Sequence, residues 1–137
     1  MDTYSENQSS LREITKALKD YLKKTFPDID WSFELNGPVT PVKPSGTVTA
    51  DEVSFESPTK GGEYAAIGYS IYLIVPDSKM VKVDELSMRV RESLLDNYDL
   101  DGTVQNSTVK KIVFGTAPGV RGNAGAAILK YEVNEWL

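Results

Sequence analysis

The sequence contains no cysteine and no histidine among its 137 residues. Without cysteine the chain can form no disulfide and has no thiolate to act as nucleophile or ligand. Without histidine it lacks the commonest general base, the commonest transition-metal ligand and every histidine-dependent catalytic triad. No cluster of carboxylates has the spacing of a metal site either. We therefore expect no catalytic activity, no metal and no cofactor.

Long apolar runs and an excess of basic residues are also absent. No stretch approaches the roughly 20 apolar residues of a membrane-spanning helix, and the polar start, MDTYSENQSS, does not resemble a signal peptide. The net charge of −5 disfavours the non-specific attraction to nucleic acid that clustered Lys and Arg provide. We expect a single α+β domain over residues 1–137, with no membrane contact.

The most strand-like stretch is residues 64–75, which read YAAIGYSIYLIV and carry no charge. The stretch is rich in β-branched and aromatic residues, and side chains of both alternating sets are largely apolar. Such a pattern is typical of a strand inside a sheet that is covered by helices on at least one face.

Two amphipathic helices are predicted. The first begins at Ser10, a good N-cap that forms a capping box with Glu13, and it ends before Pro27 because proline has no N–H to donate. Its lysines lie off the apolar stripe, which indicates a solvated face rather than a basic patch for nucleic acid. The second helix is predicted over residues 83–98, with acidic residues in its first turn.

Four further strands are predicted from alternating or apolar patterns: residues 29–35, 47–56, 109–114 and 124–133. A change of phase near Asp51 predicts a bulge or kink, and turn residues over 57–63 predict an antiparallel hairpin with the central strand. The element order is α-β-β-β-α-β-β. The fold class is α+β, with a mainly antiparallel β-sheet flanked by two helices.

The remaining segments are predicted to lack regular structure: a flexible lead over residues 1–9 and extended loops over residues 36–46 and 115–125. The first loop contains three prolines and the second is glycine-rich. The second opens a strand rather than a helix, so a hairpin tip or an intermolecular contact is favoured over a phosphate-binding loop. Residues 97–102 match the start of a calcium-binding loop, but Thr108 replaces the required glutamate, which favours a helix-ending turn.

The order and texture of the elements resemble a known family, the tail terminator proteins of long-tailed bacteriophages, which act at the neck where head and tail join. The resemblance runs over residues 11–133, and the stretches that carry it are the helix ending in FPDIDW, the strand YSIYLIV, the helix VDELSMRVRESLL, the following LDG and the closing glycine-rich hairpin. It implies a structural virion protein, assembled in the host cytoplasm, that forms a ring at the head-proximal end of the tail tube. The ring would be a homohexamer that ends tube growth and contacts the tail tube protein and the head-completion (connector) protein. DNA would pass through its lumen without specific binding.

The residues expected at subunit or tail-tube interfaces lie in the two loops and at the C-terminal tryptophan: Val39, Pro41, Lys43, Pro118, Val120, Arg121, Asn123 and Trp136. A tryptophan so close to the C-terminus either folds back on the sheet or is held by a partner. Two other classes stay open. A small soluble α+β ligand-binding or regulatory module would need a pocket with polar groups, which Tyr69 or Tyr72 would supply. An acid-dependent hydrolase would need a carboxylate pair, and no spacing in the sequence singles one out.

Overall fold

The computed structural model of the protein describes residues 10–32, 34, 43–59, 62–76, 80–119 and 122–137. Its elements in chain order are α1 (Leu11–Thr25), β1 (Ser45–Thr59), β2 (Gly62–Val75), α2 (Met80–Asp96), β3 (Asn106–Gly119) and β4 (Gly122–Trp136). The strands form one antiparallel sheet in the order β1-β2-β4-β3. The predicted α+β class is confirmed, and the residues predicted as the central strand lie within β2, in the interior of the sheet.

The helix boundaries follow the local signals closely. Ser10 caps α1, and its side chain accepts a hydrogen bond from the Glu13 N–H at 3.1 Å. The helix ends at Thr25, two residues before Pro27. α2 begins three residues earlier than predicted and ends at Asp96, because residues 97–100 form the turn that follows it.

The strand predicted over residues 29–35 is wrong. In the described part of this segment the chain forms a turn, and Asp30 makes only an isolated bridge to Ser45. The N–H and hydroxyl of Ser32 both donate to the Asp30 carboxylate, at 3.1 and 2.6 Å, which stabilises the turn and lowers the pKa of Asp30. The observed order is therefore α-β-β-α-β-β; Phe33 and Leu35 lie outside the described residues.

The loop predicted over residues 115–125 is also wrong in its described part. β3 continues through Gly119 and β4 begins at Gly122, with Pro118 opposite Asn123 in the register. Glycine has a low strand propensity. Here the two segments lie antiparallel to each other, and the backbone hydrogen bonds between them stabilise both strands despite that local preference. Of the other predicted loop, residues 36–42 lie outside the described residues, and Ser45 and Gly46 already belong to β1.

A bulge interrupts the β1–β2 ladder where the sequence changes phase. Ala50 lies opposite Tyr69 and Glu52 lies opposite Gly68, so Asp51 is the extra residue. The hairpin between β1 and β2, predicted from residues 57–63, is confirmed, although its strands reach further into that segment, to Thr59 and from Gly62.

Both helices pack against one face of the sheet, and the core lies between them. This face presents alternate residues of β2 and β4, such as Ile71 and its partner Leu129, and both are fully buried. The helices contribute their apolar stripes to the same cluster: Ile14, Leu18 and Leu22 from α1, and Val90 and Leu94 from α2. Tyr21 of α1 hydrogen-bonds the hydroxyl and carbonyl oxygens of Ser93, which joins the two helices directly.

Candidate functional site

The face of the sheet opposite the helices, called the open face below, carries the other alternating set of residues on β2 and β4. Within the described part of the chain, no further helix or strand covers it. Its members are partly exposed apart from Ser70 and Ile74: Tyr64, Ala66, Gly68, Ser70, Tyr72 and Ile74 on β2, and Ala126, Ile128, Lys130, Glu132, Asn134 and Trp136 on β4. The prediction that β2 is apolar on both sides holds, and among the described residues helices cover only one of these sides.

A polar cluster occupies the centre of the open face. The Ser70 hydroxyl donates to the carboxylate of Asp51, and the Lys130 ammonium donates to Ser70 Oγ at 2.9 Å. Lys130 Nζ also lies 3.8 Å from Asp51 Oδ2, and Thr49 donates to the other carboxylate oxygen at 2.9 Å. This cluster was not predictable from the sequence, because Asp51 and Ser70 are 19 residues apart and Ser70 and Lys130 are 60 residues apart. The only local indication of the cluster is the predicted bulge at Asp51, because the bulge directs the Asp51 side chain toward Ser70 of β2.

This cluster joins three strands and does not resemble an activated nucleophile. Ser70 is fully buried, so its hydroxyl, which donates to the Asp51 carboxylate, is not accessible to a substrate. The Lys130 ammonium donates to Ser70 Oγ and lies 3.8 Å from the same carboxylate, so it is engaged within the cluster. The arrangement holds β1, β2 and β4 in register through charge-assisted hydrogen bonds.

Beside the cluster lies a shallow depression of about 570 Å³ on the open face. Three lysines and three carboxylates line it, so that its charges balance: Lys110, Lys111, Lys130, Asp51, Glu52 and Glu132. Lys110 Nζ lies 3.2 Å from Glu132 Oε2, and this second pair neutralises another of the three lysines. The depression therefore offers no strong field to a ligand of either sign.

The tyrosines considered for a ligand pocket have different environments. Tyr69 faces the helices, is buried beside Tyr131 and hydrogen-bonds Thr15 Oγ1 at 2.8 Å, so it is not available to a ligand. Burial raises the pKa of both Tyr69 and Tyr131. Tyr72 lies on the open face and is partly exposed.

The candidate metal site is a turn. The Asp101 N–H donates to the Asn97 side-chain oxygen at 2.9 Å, and Leu100, Asp101 and Gly102 all have positive φ. This geometry is that of a chain reversal after a helix. Over the residues that the structure describes, no group of three or more carboxylates comes together as a metal site would require.

A groove of about 470 Å³ separates α1 from the edge strand β1. Its floor includes Trp31 and Val48, and the α1 side carries four cations: Arg12, Lys16, Lys19 and Lys23. Asp20, the one carboxylate among the described residues that line the groove, pairs with Lys16 at 2.7 Å and raises the pKa of that lysine. The Trp31 indole N–H donates to the Phe26 carbonyl at 3.1 Å, and its ring lies where a side chain at Gly46 would project.

Four of the eight predicted interface residues are described by the structure, and they lie in three places. Trp136 is a β4 residue on the open face, 38% exposed, and its ring packs edge-on against Tyr64 with centroids 5.1 Å apart. Lys43 is exposed just before β1, where its charge adds to the lowering of the Asp30 pKa. The backbones of Pro118 and Asn123 pair near the end of the β3–β4 hairpin. The other four lie outside the described residues: Val39, Pro41, Val120 and Arg121.

Comparison with known proteins does not assign the chain to a family. No family model matches the sequence, and no curated protein matches it significantly. Neither helix in the described ranges has the length and apolarity that crossing a bilayer requires.

Proposed function

We propose that the protein is a structural virion component that assembles into a ring at the head-proximal end of a phage tail tube, ends tube growth and joins the tail to the head. The observation that carries the proposal is a sheet with one face covered by helices and two different edges, β1 and β3, along which the described residues place no further strand apart from the isolated bridge of Asp30 to Ser45. A closed ring needs heterologous contacts, in which one surface of each subunit meets a different surface of the next. β1 and β3 are two such surfaces.

The outer edge of β1 is bridged to Asp30 at Ser45 and Gly46, and beyond these residues it has the geometry to accept another strand. The Gly46 N–H points away from β2, since it donates to the Asp30 carbonyl at 2.9 Å. Because orientation alternates along a strand, the N–H and C=O groups of Val48 and Ala50 point the same way. Exposed strand edges of this kind pair readily with a strand of another chain.

The balanced charge of the open face suits the wall of a DNA channel. Two of its three lysines, Lys110 and Lys130, already pair with Glu132 and Asp51 on the same face. A wall of this kind lets a polyanion pass without gripping it, because binding to phosphates requires uncompensated cations. We place the open face toward the lumen and the helices outside.

The two long hairpins would provide the contacts with the tail tube and the connector. Their strands have 14 or 15 residues each, well above the usual strand length of about 5–6. Phe55 and Phe114 are 54% and 43% exposed on these strands, and a neighbouring protein would remove that apolar surface from water. The proposal assigns the protein no catalytic role, in keeping with its lack of histidine and cysteine.

Ala50→Pro tests the edge contact. Ala50 is exposed and its N–H faces outward, so proline should be tolerated within the subunit while it blocks the pairing of a second strand. We expect the variant to remain folded but to form no ring and to join no tails, whereas Ala50→Thr, which keeps the N–H, does both. The measurements are mass in solution against 15.1 kDa and attachment to purified tail tubes. A folded Ala50→Pro variant that still forms rings would contradict the edge contact.

The alternative, a ligand-binding or regulatory module, would use the depression on the open face. It predicts a monomer of 15.1 kDa, both alone and in the presence of tail tubes. The same mass measurement on the unmodified protein therefore separates the two functions.

A further inference from the structure

The two flanks of α2 are not equivalent. One side faces α1, because the Arg89 guanidinium lies 5.9 Å from the centre of the Phe26 ring and the Tyr21 hydroxyl donates to the Ser93 carbonyl. At about 100° per residue, Met88 and Leu95 project from the side turned away from α1. They are seven residues apart, 42% and 54% exposed, and form an apolar ridge on the helix surface.

This apolar ridge, defined as Met88 and Leu95, has a mainly acidic border. Asp84 and Glu92 lie four residues before and after Met88, and both are exposed. Arg91, which is partly exposed, lies four residues before Leu95 and is the cation nearest to the ridge along the helix. A docking surface for the ridge would therefore need an apolar floor and a surplus of positive charge.

The groove between α1 and β1 has this composition. Trp31 and Val48 contribute apolar surface, and only Lys16 of its four cations pairs with the groove carboxylate. Within the described part of the chain, Arg12, Lys19 and Lys23 have no ion-pair partner. The groove is also too far from the ridge of its own subunit to be filled by it, because α1 lies between the groove and α2.

The positions of the two surfaces relative to the sheet make a second copy the natural occupant. The groove borders β1, and α2 lies over β4 and β3 at the other side of the sheet. If β1 of one copy meets β3 of the next, the groove of the first copy faces α2 of the second. We propose that the apolar ridge of one copy docks in the α1–β1 groove of the next. This inference rests on the proposed ring. It names the two surfaces through which the helices of neighbouring subunits would contact each other.

Cross-linking between introduced cysteines tests the contact directly, since the natural chain has none. Lys19→Cys places a thiol in the groove and Leu95→Cys places one on the ridge. A bismaleimidoethane cross-linker tolerates a wider range of separations than a disulfide does. We expect the mixed variants to give covalent dimers, and the double variant K19C/L95C to give a ladder in steps of 15.1 kDa. Thr108→Cys, exposed on the open face of β3, is the control and should give no product with Lys19→Cys.

The cross-linking outcomes separate this inference from the proposed function. Rings of normal mass without any Lys19–Leu95 product would overturn the docking and leave the ring intact. A full ladder from a protein that joins no tails would uphold the docking and overturn the tail function. Absence of both ring and product, with tail tubes present, would overturn both.

Charge reversal provides a second measurement. K19E/K23E should raise the protein concentration needed for assembly at least about tenfold, because two attractive contacts become repulsive. K24E reverses an exposed lysine on the same helix that does not line the groove, and it should have little effect. Equal effects of the two changes would show that overall charge, not the groove, is responsible.

Discussion

Truncation of Leu94 tests how α2 is packed. Leu94 is 1% exposed and belongs to the main core cluster together with residues of α1 and the sheet. Leu94→Ala removes three carbons, which corresponds to about 2.4 kcal/mol at roughly 0.8 kcal/mol per buried methylene. The cavity left behind adds to this loss, so we expect the free energy of unfolding to fall by about 2–5 kcal/mol.

Urea unfolding followed by far-UV circular dichroism gives this difference, provided that the slope of free energy against urea is unchanged. The matched control is Leu95→Ala, the next residue of the same helix, which is 54% exposed and should cost less than about 0.5 kcal/mol. Both are measured at concentrations where stability does not depend on concentration, so that association does not contribute. A loss below about 0.5 kcal/mol for Leu94→Ala, or equal losses for the two leucines, would refute the assigned phase of the helix.

Three further predictions concern the hairpin, the absence of metal and the response to alkali. Deleting residues 117–123 should leave a folded subunit that no longer joins tails; normal tube termination by this variant would remove the hairpin from the docking model. The melting temperature should be the same with and without a chelator, and a loss that added metal restores would contradict this. The raised pKa values of Tyr69 and Tyr131 stabilise the fold below the ordinary tyrosine pKa of about 10. This contribution is lost as pH rises further, so Tyr131→Phe should flatten the fall in stability above about pH 10.

Much of the fold was predictable because its signals are local. The cap at Ser10, the stop at Pro27 and the change of phase at Asp51 each concern residues within a few positions of one another. The failure at residues 29–35 has a partly non-local cause. Alternating apolar residues predicted a strand, but Ser32 donates to Asp30 in a turn and the Trp31 side chain reaches back to the Phe26 carbonyl. The Trp31 ring also packs over Gly46, a residue that only the folded chain brings beside it.

The interaction surfaces were less predictable because they join distant segments. The α1 lysines were predicted to lie off the apolar stripe, and in the structure they are exposed. Nothing local indicates that Trp31 and Val48 lie beside them and make a groove. Likewise, the seven-residue spacing of Met88 and Leu95 is visible in the sequence, but the flank of α2 that they occupy is defined by its contacts with α1.

The edge contact and the groove contact constrain each other through the geometry of the sheet. Both helices lie on one face, so pairing β1 of one subunit with β3 of the next brings all helices of the ring to the same side. Strand pairing fixes the spacing of neighbouring subunits at about 4.8 Å between adjacent strands, and α1 must then approach α2 of the next subunit. The helices of neighbouring subunits can then pack together, because each subunit has a ridge on the β3 side and a groove on the β1 side. Ala50→Pro and K19E/K23E alter different parts of this one interface, and their effects on assembly should therefore be coupled rather than additive.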